Sequence, residues 1–257
     1  MISVCMSTYN GERFLKEQID SIITQLKPTD ELIISDDGST DATLDIIKSY
    51  RDDRIKLLHH KKVQQKFSFS YTTANIKNAL KHASGDIIFL ADQDDVWLPN
   101  KLKLMTKYCG QFDLIVADSI EVDRNLQTLC ESHFELYNAK IGAFHNWMGP
   151  CCYLGANMCF KKDLMKDFMD IPDVVPHDLW IGLITNLRRK KMLLLAEKTM
   201  LYRRHDTNVS GINNRILRGI SNNRRMTIKR NDNSLRFRIH YRWEIVYQLC
   251  RKFFTHS

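Results

Sequence analysis

Asp86-Ile87-Ile88-Phe89-Leu90-Ala91-Asp92-Gln93-Asp94-Asp95-Val96-Trp97-Leu98-Pro99 is the stretch on which the reading of this chain turns. An apolar run of strand length, Ile87 to Ala91, stops at three carboxylates within four positions, and Trp97 and a helix-starting Pro99 follow. A buried strand is delivering negative charge to a sheet edge. Carboxylates this close repel one another, so a fold that keeps them ionised supplies a cation, and hard oxygen donors favour Mg2+ or Mn2+. Mg2+ takes one or two protein carboxylates and completes its shell with water and phosphate oxygens, which points to a nucleotide diphosphate. Taken alone, the same residues also read as a solvated acidic turn capping the helix near Pro99.

The rest of the chain decides between these. Its 257 residues suffice for one large α/β domain with an appendage, and 44% hydrophobic and 26% charged residues are ordinary for a globular protein. The net charge of +8 is unevenly placed: residues 215 to 257 hold eleven Lys/Arg against two acids, leaving residues 1 to 214 near neutrality. Seven cysteines show no metal-ligand spacing, and the adjacent Cys151 and Cys152 cannot form an unstrained bridge, so free thiols in a reducing cytoplasm are expected. The N-terminus enters a strand without a charged leader, and no apolar run approaches the roughly 20 residues of a spanning helix. A cytoplasmic protein, peripheral at the inner face of the cell membrane, is the expectation.

In chain order, Ile2 to Ser7 reads as a strand, and Phe14, Gln18, Ile22 and Leu26 recur at helical spacing until Pro28. Glu31 to Ser35 is a second strand ending in Asp36-Asp37-Gly38-Ser39, with Ser39 as the N-cap of a helix over Thr40 to Tyr50. Ile55 to Leu58 is a third strand and Tyr71 to Ala83 a third helix. Alternating strands and helices predict a mostly parallel sheet covered on both faces, with ligands beyond the carboxyl ends of its strands. Thr8-Tyr9-Asn10, Asp36-Asp37-Gly38-Ser39 and Asp92-Gln93-Asp94-Asp95 then meet at one edge. Asp36-Asp37-Gly38-Ser39 makes a good turn by itself, but a turn does not require both carboxylates, and one suits the imide N–H of a uracil or thymine.

With these motifs assembled, the chain resembles the inverting glycosyltransferases of family 2, which have the nucleotide-sugar-binding GT-A fold. The resemblance rests on Ser7-Thr8-Tyr9-Asn10-Gly11, on Ile34-Ser35-Asp36-Asp37-Gly38-Ser39-Thr40-Asp41 and on the acidic cluster before Trp97, and it covers about residues 1 to 210. It implies that Thr8, Asn10 and Asp37 hold the nucleoside, with Asp36 near the base. The acidic cluster matches the family's Asp-x-Asp element, which implies Asp92 near the ribose and on the metal, and Asp94 on the metal. Asp95 is then either a direct ligand or an outer acid.

Downstream, Leu114 to Asp118 reads as a strand and Asp123-Arg124-Asn125 as a hairpin turn, while Glu131 to Trp147 shows little pattern. Gly155-Ala156-Asn157-Met158 reads equally as a plain turn into a strand and as part of an acceptor pocket. Transfer of a sugar needs a base for the acceptor hydroxyl. Asp178, in Pro176-His177-Asp178-Leu179-Trp180, is either that base or only a helix cap, and the resemblance implies the base, with His177 as an orienting neighbour typical of rhamnosyltransferase-like members. Leu193 to Ala196 and Thr199 to Tyr202 read as two late strands. In Tyr202-Arg203-Arg204-His205 the resemblance implies that Arg203 neutralises a leaving diphosphate and that His205 ligates the metal, against the alternative of an ordinary surface histidine.

The tail is expected to start at 212, after a catalytic domain over 1–211. Ile239, Trp243, Val246, Tyr247, Cys250 and Phe254 follow Leu235 at helical spacing among arginines. Such a helix either lies on an anionic membrane or packs back on the domain. Nucleic acid is not expected, because it leaves the acidic sheet edge unexplained. The expected function is metal-dependent transfer of a hexose or deoxyhexose from a UDP- or dTDP-sugar to a glycan or lipid-linked glycan acceptor of a surface polysaccharide. The alternatives are a sugar-phosphate nucleotidyltransferase, whose glycine-rich loop is missing after the first strand, and a non-enzymatic basic adaptor for membrane or RNA.

Overall fold

The apolar runs at the start of the chain lack polar alternation because each is covered on both sides. The computed structural model describes residues 1–65, 67–148, 152–205 and 232–254. In it β1 (Ile2–Thr8), β2 (Glu31–Asp36), β3 (Ile55–His59) and β4 (Ile87–Asp92) lie parallel in the order β3-β2-β1-β4. Val4, Met6, Leu32, Ile34 and Phe89 point into a core with α1 (Leu15–Ile23), α2 (Thr43–Ser49) and α4 (Lys101–Thr106). Their neighbours Cys5, Ile33, Ile88 and Leu90 enter a second core with α3 (Ser68–Lys81) and α8 (His177–Leu187). Period-two alternation thus fills two layers instead of separating core from water.

Beyond β4 the sheet becomes mixed. β8 (Met158–Lys161) runs antiparallel between β4 and β6 (Leu114–Val122), and β9 (Met192–Arg203) runs parallel to β6. The Asp123 turn closes a hairpin from β6 to β7 (Thr128–Cys130), with Asp123 N–H donating to the Gln127 carbonyl at 2.9 Å. The stretch that showed little pattern forms α5 (His133–Tyr137) and α6 (Ala143–Met148), and α7 (Met165–Phe168) precedes α8. Strand order reverses between β1 and β4, which places the ligand crevice of an open α/β sheet over those two strand ends.

Several local expectations are corrected. The two late strands are one: the register with β6 jumps from Ala117↔Leu195 to Asp118↔Lys198, so the polar break at Glu197 is a bulge within β9. Val96–Trp97 forms a short strand, β5, antiparallel to the end of β9, which folds the acidic loop back over the sheet. α4 begins at Lys101 after Asn100 in the left-handed region (φ 69°), two residues past Pro99. Ser39 does not cap α2, which starts at Thr43; Asp41 accepts from the Thr43 N–H there at 3.0 Å.

The chain ends in α9 (Asp232–Phe254). Ile245 is wholly buried in the α3/α8 core, Leu249 and Phe253 pack against it, and Lys252 donates to both carboxylate oxygens of Asp170 at 2.7 Å. One face of the tail therefore packs on the domain. The expected boundary at 211/212 lies outside the described residues, as do the side chains of Leu235, Ile239 and Phe254. Among the described residues no helix is long and apolar enough to cross a membrane, and six cysteines carry free thiols.

Candidate active site

Three strand tips meet over the β1/β4 crevice, and side-chain to backbone bonds hold them together. Asp36 accepts from the Gly38 and Ser39 N–H groups with one oxygen, and from the Thr8 (3.0 Å) and Ser39 (2.5 Å) hydroxyls with the other. Gln93 accepts from Tyr9 N–H at 2.9 Å and donates to Tyr9 O at 3.2 Å, joining the β1 loop to the acidic loop. Asn10, in the left-handed region at φ 47°, accepts from Thr40 N–H at 2.9 Å while its own N–H donates to Ser39 Oγ. Asp36 and Thr8 are buried and build the loops, and Asn10 latches two of them together.

Asp37 has a different environment. His60, from the loop after β3, stands 2.5 Å from it through Nδ1. Burial raises the Asp37 pKa above the usual carboxylate range, with Asp36 adding to this and His60 and Lys62 opposing it. The Lys62 ammonium lies 3.3 Å from the centroid of the Tyr9 ring, which is exposed at the crevice.

The acidic cluster forms the floor. Burial, then Asp94 and Asp178, push Asp92 up to about 7, with Lys101 opposing. Asp95 is driven well above its ordinary range by burial and by Asp94 and Asp92. One Asp95 oxygen accepts from Arg203 N–H at 3.0 Å; the other is buried without a hydrogen-bond partner. Lys101, 1% exposed, donates to the Ala156 carbonyl at 3.0 Å, and burial brings it down to about 7 against the pull of Asp95, Cys159 and Asp92. Burial is the larger cause of the Asp92 and Asp95 shifts, and the neighbouring carboxylates add to it.

His205 Nε2 stands 2.7 Å from Asp94 Oδ2, with its ring centroid 5.0 Å from that of Phe14. Arg203 is buried and bonded within the protein. Its buried guanidinium bonds Glu17, the Asp94 carbonyl at 2.7 Å and the Arg124 carbonyl at 2.9 Å, and lies over Phe14. A fork engaged this way ties α1 and β9 to the acidic loop.

Asp178 sits in the first turn of α8, half-buried, and its charge reaches Asp92. His177 is buried beside Gly155, its N–H donates to Thr73 Oγ1 at 3.2 Å, and burial holds its imidazole below its ordinary pKa and therefore neutral at pH 7. Among the described residues no hydrogen bond joins His177 to Asp178, although the Asp178 charge favours the protonated imidazole against the effect of burial. Asn157 is a brace: its amide donates to the Ala117 and Asp118 carbonyls at 2.8 Å, and its oxygen accepts from Thr199 at 2.6 Å.

Comparison with known proteins matches this geometry to a family. The profile of Glycosyl transferase family 2 matches residues 3–168, spanning all three strand tips. The chain belongs to glycosyl transferase family 2. Among curated relatives, the dTDP-rhamnosyl transferase RfbG of Shigella flexneri is 28% identical over 222 residues, covering 81% of this chain and 74% of that protein. The UDP-Glc:alpha-D-GlcNAc-diphosphoundecaprenol beta-1,3-glucosyltransferase WfgD of Escherichia coli is 35% identical over 105 residues, 40% of this chain. The chain spans only 39% of WfgD and 36% of EpsE of Bacillus subtilis, another relative. Among solved structures, S. aureus TarS in complex with UDP-GlcNAc superposes with a TM-score of 0.62 at 20% identity, over 100% of this chain and 73% of that one. Glucosyl-3-phosphoglycerate synthase from Mycobacterium tuberculosis, solved with Mn2+ and UDP, gives 0.56 at 17% identity, over 86% and 76%. The fold is GT-A.

The family 2 chain has donors that fit a divalent ion. Among the described residues no group of three or more His, Cys, Asp or Glu side chains is arranged to hold a metal ion. Asp94 and His205 nevertheless converge, and two protein donors completed by phosphate oxygens are an ordinary arrangement for Mg2+ and Mn2+. One Asp95 oxygen beside them is buried without a hydrogen-bond partner. Three residues of this site escaped the sequence reading: Gln93, His60 and Lys101. Gln93 stands between the acids of the cluster with no spacing signal of its own. His60 follows the tip of β3, where the rule that singled out the other three tips applies equally. Lys101 becomes visible only through its burial.

Proposed function

We propose that this chain is a metal-dependent inverting glycosyltransferase that moves a hexose or deoxyhexose from a UDP- or dTDP-sugar to a glycan or lipid-linked acceptor in surface-polysaccharide synthesis. The observation that carries the reading is the convergence of the Asp94–His205 pair and Asp178 on the acidic floor. RfbG and WfgD support the donor class and the acceptor class by what they transfer. A nucleotidyltransferase would need a glycine-rich loop after β1, where Tyr9-Asn10-Gly11-Glu12 stands.

In this reading Asp37 accepts the imide N–H of the pyrimidine, the Tyr9 ring borders the base, and Asp92 faces the ribose. Asp94 and His205 would hold the divalent ion, which supplies positive charge to the diphosphate as it leaves. Asp178 takes the proton of the acceptor hydroxyl as its oxygen bonds to the anomeric carbon and the bond to the diphosphate oxygen breaks on the opposite face. The proton leaves Asp178 for solvent after the product departs. Asp178→Asn keeps size and hydrogen bonding but cannot take the proton, so kcat falls by roughly 10²–10⁴ while nucleotide affinity holds. The assay is transfer from a panel of UDP- and dTDP-sugars with Mn2+ to an acceptor extract. Wild-type turnover in Asp178→Asn removes the assigned base.

A further inference from the structure

Two cysteines with no part in the sugar chemistry lie side by side beneath the sheet. Cys109, in the turn that follows α4, and Cys159, in β8, share the buried layer on the α1/α2/α4 side, and their Sγ atoms are 4.0 Å apart although 50 residues separate them in the chain. They are not equivalent. Cys159 is wholly enclosed, between Phe89 of β4 and Ile115 of β6. Cys109 is 6% exposed and lines an open cleft of about 480 Å³ with Thr106, Gly110, Lys161 and Lys162. That cleft lies beside Asp86 and Ile87 at the amino end of β4, whereas the crevice lies at the strand's carboxyl end. The hydrogen bond from Cys159, and then the Lys161 ammonium, hold the Cys109 thiol below its ordinary range against the effect of burial, while burial pushes Cys159 well up. One thiol is therefore activated and within reach of solvent, and the other is inert until a sulfur is brought to it.

We infer that Cys109 and Cys159 form a dithiol oxidised by peroxide, in which Cys109 meets the oxidant and Cys159 resolves it into a disulfide. The Cys109 thiolate attacks one oxygen of hydrogen peroxide, the O–O bond breaks, and hydroxide leaves a sulfenic acid on Cys109. The Cys159 sulfur then attacks the Cys109 sulfur, the S–S bond forms, the S–O bond breaks, and water leaves with the Cys159 proton. The two sulfurs together lose two electrons, and peroxide takes both. Closing 4.0 Å to a disulfide's roughly 2 Å asks the Cys109 turn to shift toward the sheet. That turn has room, because the adjoining Gly110 is exposed and a Cβ on it would meet nothing within 4 Å. The bond would fasten the turn after α4 to the middle of the sheet, and a reductant would release it. The inference rests on α4 and β8, not on the sugar chemistry, and stands or falls separately from it.

The test uses the full chain, reduced, freed of reductant and treated with a small excess of hydrogen peroxide. Remaining thiols are blocked with N-ethylmaleimide in denaturant, and the peptides are mapped by mass without reduction. A linked peptide holding Cys109 and Cys159 is expected, lighter by two hydrogens than its reduced halves and separated into them by dithiothreitol. The same chain unfolded in urea before peroxide is expected to lose that pairing, because only the fold brings the two sulfurs together. In Cys159→Ser, Cys109 is expected to stop at the sulfenic acid and be captured by dimedone, and in Cys109→Ser, Cys159 is expected to stay reduced. The wild-type map needs no substitution, so it decides the matter even where a variant fails to fold. Three results overturn the inference: no such link in the folded wild type, a link that forms as readily in urea, or Cys159 oxidised as readily in folded Cys109→Ser as in the wild type.

Discussion

At Gly155 the space a side chain would fill is already taken. A Cβ there would stand 2.7 Å from His177 Nε2 and 3.3 Å from the Asp178 Cβ, and the His177 ring is buried with nowhere to swing. Gly155→Ala must therefore push on the first turn of α8, the turn that carries Asp178. Overpacking of this kind costs about 1–3 kcal/mol, and a displaced catalytic group loses on the order of 10²-fold in rate. The expected phenotype is a lowered kcat with nearly unchanged donor KM, because the nucleotide-facing loops lie across the crevice. Steady-state kinetics on Gly155→Ala beside a melting curve checks it, and wild-type kcat would mean that the position of Asp178 is not critical. Arg203 teaches a related lesson at the same scale. An arginine near a phosphate site suggests a phosphate ligand, yet its guanidinium is engaged by Glu17, the Asp94 carbonyl and the Arg124 carbonyl. A side chain's role follows from its partners, and those lie 79 to 186 residues away in the chain.

At the level of elements, Glu31 joins the far ends of the first three strands. Its carboxylate accepts from Ser3 Oγ and Lys56 Nζ at 2.5 Å, and from the Ser84 N–H and hydroxyl at 2.8 and 2.7 Å, linking β1, β2, β3 and the turn into β4. Burial alone would raise its pKa, but the four hydrogen bonds outweigh that and hold it at about 2, against an ordinary 4.5. A carboxylate depressed by folding stabilises the protein above 4.5, and that contribution is lost as pH falls toward 2. Glu31→Gln is therefore expected to lower stability at pH 7 by up to about 3 kcal/mol, less because Lys56 is half in water, and the gap from wild type closes in acid. Urea unfolding at pH 7 and at the acid end of that window measures it; a gap independent of pH would show that the charge is not what binds these strands. The elements themselves were largely legible, since β1, β2 and β4 are mostly apolar runs ending in polar residues, whereas the edge strand β3 is interrupted by the exposed Lys56. What the sequence left hidden is pairing across long separations. The β5–β9 ladder rests on two residues, Val96 and Trp97, and the bulge in β9 looks like a loop until β6 lies beside it. Asp37, Asp94 and Asp178 were readable as site candidates because they fall at strand or helix ends, whereas Lys101 needed its burial to be seen.

At the level of the whole molecule, two loop systems meet at the crevice, joined by Gln93. The β1 and β2 loops are locked by Asp36, Asn10 and Gln93 and present Asp37 and Tyr9. The acidic loop, held by β5 and Arg203, presents Asp94 to His205 at the end of β9. In the proposed function the ligand that bridges both has its base at the first and its pyrophosphate at the second, with the cation at the second. Thermal stability separates the two contributions, because a ligand that binds only the native state stabilises by RT ln(1 + [L]/Kd), about 2.7 kcal/mol at a hundredfold excess over Kd. For a chain of this size that corresponds to roughly 5–10 °C. UDP alone is expected to give a small shift, and UDP with Mn2+ a larger one. Asp94→Asn is expected to keep the small shift and lose the Mn2+-dependent increment, whereas Asp178→Asn keeps both, since its carboxylate serves the acceptor side. Calorimetry with UDP, dTDP and GDP then reads the base end, with GDP expected to bind at least tenfold more weakly because Asp37 meets a different ring edge. An Mn2+ increment that survives in Asp94→Asn would move the ion elsewhere on the acidic floor and leave the Asp94–His205 pair as a structural contact.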